Sequence, residues 1–410
     1  MTEASELGLR ARPDEMHDAM ARLRGECARF TESRRIAEAL ASACEEWRAG
    51  NSPEYRSAIA ELSTLLKWSR GVLAASLEAL LMPFSRDALL SFAVSAHPRE
   101  QIGGFIMPAN VPGAGMHELI AALISGAVAI VKASVREPVL FPAFAQTLRR
   151  IDPLVGNRVE VVVFGRERED LTRIMCDQCD FIVALGEDAG LAHLIGRAKL
   201  FGFGSRVSGA LISLATPANF AALAAAVARD VVLFEQQGCL SPHHIFIADA
   251  DRGAIGEFAR RLADALAHAA TAVPPAALSF NTAAAIRRMR ERARWRQIGG
   301  HDIELLEDRA GAWTIVIDPE ARLTISPGYR AVTLSVVRDA DDLAARLAPV
   351  AGRLEAFALA AAGPVRGRFL DVLAGAGVTY VCDPGQMQSP PLTWPHGGGK
   401  FLDFLASYDE

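Results

Sequence analysis

Cysteine is a side chain that readily carries an acyl group, and the 410-residue chain holds six, at positions 27, 44, 176, 179, 239 and 382. Cys239 has the setting best suited to chemistry, within Phe234-Glu235-Gln236-Gln237-Gly238-Cys239-Leu240-Ser241-Pro242. A glycine before it and a Ser-Pro turn after it predict a tight loop with the sulfur facing a cleft. The alternative is a small buried hydrophobe, as most free cysteines are, and the loop alone does not choose. Cys176 and Cys179 have redox or zinc spacing. No second such pair and no histidine pair at ligand spacing joins them, so structural thiols and no metal are expected. Trp394-Pro395-His396-Gly397-Gly398-Gly399-Lys400 predicts a loop fitted closely around something. A histidine there could lower a thiol pKa or protonate a leaving group. His243 and His244 directly precede an apolar run and read as structural.

These residues need elements to position them. Residues 1–95 are rich in Ala, Glu and Arg, with apolar residues at helical spacing, and predict a helical N-terminal region. From Gln101 the texture changes. Ile102–Met107, Val128–Lys132, Val159–Phe164, Phe181–Leu185 and Leu211–Leu214 read as buried strands. Helices are expected between them over Met116–Ser125, Pro142–Arg150 and Glu169–Cys176. Apolar strands alternating with helices predict parallel βαβ units, an α/β fold with a dinucleotide-type domain. The usual Gly-x-Gly-x-x-Gly fingerprint is absent, and Phe201-Gly202-Phe203-Gly204 is weak evidence for a phosphate loop. Val231-Val232-Leu233 reads as strand-like before the Cys239 loop.

A second α/β set follows, with helices over Ile255–Ala270, Ala283–Arg296 and Asp339–Leu347. Its strands are expected at Ile245–Ile247, Trp313–Ile317, Val332–Val337, Phe357–Ala360 and Val378–Val381. The six arginines between Arg287 and Arg296 predict a solvated face paired with acids; contact with coenzyme phosphates is the lesser reading. The expected domains are 1–95, helical; 96–225, dinucleotide-binding, with 385–410 packing near the domain interface; and 226–384, carrying the catalytic cysteine.

Hydrophobic residues make up 51% and charged residues 22%, which predicts a globular chain with a sizeable core. A net charge of -5 gives no basic field for nucleic acid or an anionic membrane. Glu3 and Glu6 stand where a secretory leader would be basic and then apolar. Leu119–Val131 is too short to span a bilayer. Val207–Ala228 is broken by Pro217 and Asn219 and reads as strand, turn and buried helix. A cytoplasmic protein with reduced thiols is expected.

Three features occur in order: Pro108-Ala109-Asn110-Val111-Pro112 after a strand, a strand ending in Lys132, and the Cys239 loop. Together with Trp394-Pro395-His396-Gly397-Gly398 this resembles the aldehyde dehydrogenase superfamily. The fit is closer to its acyl-CoA reductase branch, the family of the fatty acid reductase of bacterial luminescence. The resemblance runs from about Gln101 to the C-terminus. It implies a Rossmann-type cofactor domain plus an α/β catalytic thiol domain. It also implies Cys239 as nucleophile, with the Asn110 amide and the Cys239 backbone N–H as oxyanion donors, and His396 lining the site. Lys132 would hold the adenosine ribose. The acid that selects NAD three residues on is replaced by Val135, with Ser134 and Arg136 alongside, so NADPH is expected ahead of NADH.

Two departures matter. The oxidising dehydrogenases carry a general-base glutamate where this chain has Gly202-Phe203-Gly204-Ser205. Its loss favours transfer to or from a thiol over hydrolysis, although Glu235 could partly substitute. The turn over the nicotinamide is Ala184-Leu185-Gly186-Glu187 here and keeps only the glycine. Gly186 and Gly204 are thus the cofactor-binding glycines. The implied reaction is NADPH-dependent reduction of an acyl thioester to an aldehyde. The donor is acyl-CoA or an acyl-carrier thioester, with an acyl-transferring partner enzyme and a homo-oligomer also in view. Two other readings stand beside it: an oxidative aldehyde dehydrogenase, and a non-catalytic homologue that binds nucleotide or a partner enzyme.

Overall fold

The βαβ alternation expected from Gln101 onward is present in a computed structural model that describes residues 12–196, 199–214, 220–399 and 401–406. Contacts divide the chain into two compact units. The first comprises Met1–Leu66, Leu77–Ser205 and Pro391–Glu410; the second comprises Lys67–Ser76 and Arg206–Pro390.

The first unit is built on strands β1 (Ile102–Ile106), β2 (Val128–Ala133), β3 (Val159–Val163), β4 (Phe181–Leu185) and β5 (Leu200–Phe203). They are parallel and ordered β3-β2-β1-β4-β5. The chain leaves β1 through helix Met116–Ile124 towards β2 on one side, then returns to β4 on the other. Sheets with that reversal bind ligands at the carboxyl ends of the strands flanking it. Helix Pro13–Cys27 explains what the N-terminal region is for. Its Met16, Ala19, Met20 and Leu23 fall at helical spacing and pack against Ile102, Val128, Ile130 and Ile182. Burying each of the three large side chains stabilises the unit by about 1.5–3 kcal/mol. Gly103 on β1 is required by its neighbour, since a Cβ there would lie 2.5 Å from the Phe181 ring.

The second unit has seven strands: β6 (Val207–Ser213), β7 (Pro242–Ala248), β8 (Glu304–Glu307), β9 (Thr314–Ile317), β10 (Ala331–Val337), β11 (Leu354–Ala360) and β12 (Tyr380–Cys382). Their order is β12-β11-β6-β7-β10-β9-β8, parallel except for β8 against β9. Helices Arg252–Ala272, Phe280–Ile298 and Ala340–Leu347 begin at Asp251, Ser279 and Asp339, whose side chains accept from the backbone N–H three residues on. Leu211, Phe246, Phe357, Leu343 and Leu373 form part of the core beside the sheet.

The structure corrects three expectations. Val231–Leu233 is not strand-like: Val231 and Val232 end helix Phe220–Val232, and Leu233 opens a 3-10 turn to Gln236. A short apolar run looks the same in a buried strand and a buried helix end. The division at 225/226 also moves. Val207–Ser213 pairs with β7 and β11, so the chain enters the second unit at Arg206. The region 1–95 is itself divided: most of its helices belong to the first unit, on whose sheet Pro13–Cys27 packs, while Lys67–Ser76 belongs to the second. The strand and helix read within Val207–Ala228 are present, while the turn at Pro217 and Asn219 lies outside the described residues, as does Lys400. Among the described residues no helix is long and apolar enough to cross a membrane.

Candidate active site

In the first unit, the carboxyl edge of the parallel sheet collects most of the residues singled out for cofactor and substrate. Asn110 is exposed in the bend that follows β1. Lys132 sits one residue from the end of β2, opposite Ile106, with its Nζ 5.4 Å from the centre of the Phe164 ring. Burial lowers its pKa and Glu167 partly offsets that. Ser134 accepts a hydrogen bond from the Arg136 N–H at 3.2 Å, and the Arg136 side chain is exposed. Glu137, the next acid along the chain, is buried. Its Oε1 accepts from the N–H groups of Val139 and Leu140 and caps helix Leu140–Ile151 from a buried position.

Gly186 and Gly204 follow β4 and β5, and the Gly186 N–H donates to the Phe203 carbonyl. Around Gly186 there is room, since an added Cβ would meet nothing within 4 Å. At Gly204 the turn is closed by Asp188, whose Oδ1 accepts from the Ser205 N–H at 3.0 Å. A carboxylate in that position opposes a phosphate, so of the two glycines Gly186 is the better placed for an anionic cofactor.

His396 lies in the same unit, between two aromatic rings. Phe203 stacks on it at 4.2 Å with planes 9° apart, and Trp394 at 4.2 Å with planes 24° apart. Its Nδ1 is 2.7 Å from Oε1 of Glu118, a buried acid on helix Met116–Ile124. Burial pushes Glu118 up, but the charge and hydrogen bond of His396, aided by His117, hold it below the usual carboxylate range. These groups line a cavity of about 230 Å³ with Thr393, Trp394 and Asp403. Glu118 was missed in the sequence, although a lone acid among the apolar residues of that helix was a signal.

Cys239 belongs to the second unit and is half-buried in a turn where the Ser241 N–H donates to the Gly238 carbonyl. The residues before it have left-handed backbones: φ is 54° at Phe234, 50° at Glu235 and 60° at Gln236. L-residues adopt that region at a cost, and here it turns Glu235 inward. Glu235 is fully buried, ion-paired with the equally buried Arg330 at 3.1 Å, and accepts from the Ala276 N–H. His244 lies 2.7 Å from the Ser335 hydroxyl, and His243 2.9 Å from that of Ser326. Burial pushes His243 down to about 4 and His244 to about 3, so both rings are neutral at ordinary pH. The arginine helix is tied to acids on neighbouring strands and loops through Arg290–Glu307, Arg294–Glu307 and Arg296–Asp318. Cys176 is buried in the core of the first unit, and burial raises the Cys179 thiol.

The five-stranded parallel sheet and the seven-stranded sheet, with the Cys239 turn between β6 and β7, give the chain the aldehyde dehydrogenase fold. The structure matches aldehyde dehydrogenase 21 from Physcomitrella patens, in complex with succinate, with TM-score 0.68 and 13% identity over 94% of this chain and 84% of that one. It also matches an aldehyde dehydrogenase C mutant from Pseudomonas syringae, in complex with NAD+ and octanal, at 0.66 and 14% over 90% and 77%. Within that fold the chain belongs to the acyl-CoA reductase (LuxC) family, whose pattern matches residues 94–408. The long-chain acyl-protein thioester reductase of Aliivibrio fischeri is 24% identical over 260 residues, 61% of this chain and 51% of that protein. The chain thus matches about half the length of that relative.

Proposed function

We propose that the protein reduces an acyl thioester to an aldehyde with NADPH, through an acyl group held on Cys239. The observation that carries this is the inward turn of Glu235. With Gly202-Phe203-Gly204-Ser205 where the oxidising enzymes carry their general-base run, Glu235 was the acid in the Cys239 loop able to activate water, and it is fully buried with its Oε1 held by Arg330 and Ala276. An acyl-cysteine without a water-activating base persists long enough to be reduced.

The Cys239 sulfur attacks the thioester carbonyl and the donor thiol leaves with a proton. Asn110 and the Cys239 N–H stabilise the oxyanion. His396, oriented by Glu118, protonates the departing thiolate. NADPH, when bound, would supply the hydride for reduction of the acyl group. Collapse then returns the Cys239 thiolate, so thioester, NADPH and a proton become aldehyde, thiol and NADP+. Lys132 would hold the adenosine ribose, and Ser134 and Arg136 would take the 2′-phosphate. Glu137 supports that choice, because its carboxylate is buried as a helix cap. A long acyl chain is suggested by the name of the Aliivibrio fischeri relative.

The test is intact-mass analysis after mixing with long-chain acyl-CoA in the absence of nucleotide, then NADPH or NADH consumption in parallel. An acyl adduct mapping to Cys239 and faster consumption of NADPH are expected. An unchanged mass at every chain length, with no nucleotide oxidised, would sink the proposal.

A further inference from the structure

One fully buried side chain closes the cysteine turn from behind. Gln236 Nε2 donates to the Pro242 carbonyl at 2.7 Å and to the Ala331 carbonyl at 2.9 Å, while its Oε1 accepts from the Ala331 N–H at 2.9 Å. The first bond joins the two ends of the segment from Gln237 to Ser241, so the turn that carries Cys239 becomes a ring. The other two fasten that ring to the first residue of β10. A second tie comes from β6. Its ladder with β11 is irregular between Leu354 and Phe357, and there the Ser208 hydroxyl accepts from the Ala356 N–H at 2.9 Å. The same hydroxyl donates to the Cys239 carbonyl at 2.6 Å. Irregular ladders re-aim side chains in this way beside functional sites.

The backbone arrangement is costly unless such ties hold it. Phe234, Glu235 and Gln236 are left-handed, and so are Tyr329 and Arg330 facing them, with φ of 53° and 62°. The Tyr329 N–H donates to the Glu235 carbonyl at 2.9 Å. Each such residue costs roughly 1–3 kcal/mol and persists only where its surroundings over-determine it.

We propose that Gln236, with Ser208, is a positioning residue for the Cys239 nucleophile. The pair fixes the cysteine peptide and the direction of its thiol before an acyl donor arrives. The inference rests on Cys239 being the acyl acceptor. Misplacing a reacting group by about 1 Å costs on the order of 100-fold in rate. A merely stabilising glutamine would instead lower the folded fraction and leave each folded molecule equally reactive.

Gln236→Glu keeps the size and the Oε1 acceptor but turns both donated bonds into contacts between oxygens. Ser208→Ala removes one hydroxyl and is the second variant should the first fail to fold. Each full-length variant is acylated with palmitoyl-CoA without nucleotide and followed by intact mass. Iodoacetamide alkylation of Cys239 across neutral to alkaline pH and thermal melting are run alongside. Acylation per folded molecule is expected to fall about 10- to 100-fold, with a displaced alkylation profile. Unchanged acylation per folded molecule and an unchanged alkylation profile in the folded variants overturn the inference, whatever the melting temperature does. A wild-type protein that takes no acyl group, or Cys239→Ala gaining the same mass, overturns the acyl-acceptor reading instead and removes the inference with it.

Discussion

A carboxylate buried against apolar residues is pushed towards its neutral form, yet Glu118 is held ionised by His396 and His117. The sign follows from that balance. Its folded pKa lies below the unfolded value, so its contribution to stability is present above the unfolded pKa and is lost as pH falls through the folded one. Glu118→Gln should therefore destabilise the protein at neutral pH by about 2 kcal/mol, the worth of a hydrogen bond to a charged group. The gap to wild type should close in acid, as urea unfolding at the two pH values would show. Equal loss at both would mean the pair is not ionised. The residues proposed for the chemistry could be picked out one at a time: Cys239, Asn110, Lys132 and His396 all stand in recognisable runs. Their supports were not, because Glu118 meets His396 across 278 positions, and Gln236 meets Ala331 across 95. Nothing local marks an acid or amide whose partner arrives only when the sheet closes.

At the level of elements, the alternation of apolar strands and helices located most of both sheets, and the misreadings came where periodicity carries least information. Val231–Leu233 is three residues long, too short to separate a strand from a helix end. β8 was not anticipated because Glu304–Glu307 is half-exposed and carries an acid at each end. Capping shows what does decide an element. Both N–H groups at the start of helix Leu140–Ile151 go to the same oxygen of Glu137, and burial raises its pKa to about 7. Here the sign is reversed. An acid whose folded pKa exceeds its ordinary 4.5 leaves the fold most stable below that value, and stability is lost as pH rises through about 7. Glu137→Gln keeps an acceptor oxygen without the charge. Its thermal midpoint should be flat where wild type declines between mildly acid and mildly alkaline pH, and higher than wild type at the alkaline end. Glu137→Ala should lose the cap at every pH, about 1 kcal/mol. A wild-type midpoint that does not change across that range would show the carboxyl is not buried as described.

Neither compact unit is continuous in sequence, which sets how damage should spread through the molecule. Residues Pro391 onward follow directly on the second unit but belong to the first. Phe404 packs against Phe181 and Phe201 at centroid distances of 5.5 and 4.4 Å, with the Lys199 ammonium 3.8 Å from its ring centre. Phe401 meets the same two phenylalanines at 6.1 and 5.6 Å. The terminal helix Phe401–Ala406 therefore covers β4 and β5, and its loss should be felt there rather than in the strands that precede it in the chain. Truncating one buried phenylalanine costs about 3–5 kcal/mol. Two in mutual contact need not add. In Phe401→Ala/Phe404→Ala, amide exchange should quicken across β1, β4 and β5 while β6, β7, β10 and β11 keep their protection. Exchange reports such local opening strand by strand. Loss of protection in both sheets together would mean that the two units unfold as one.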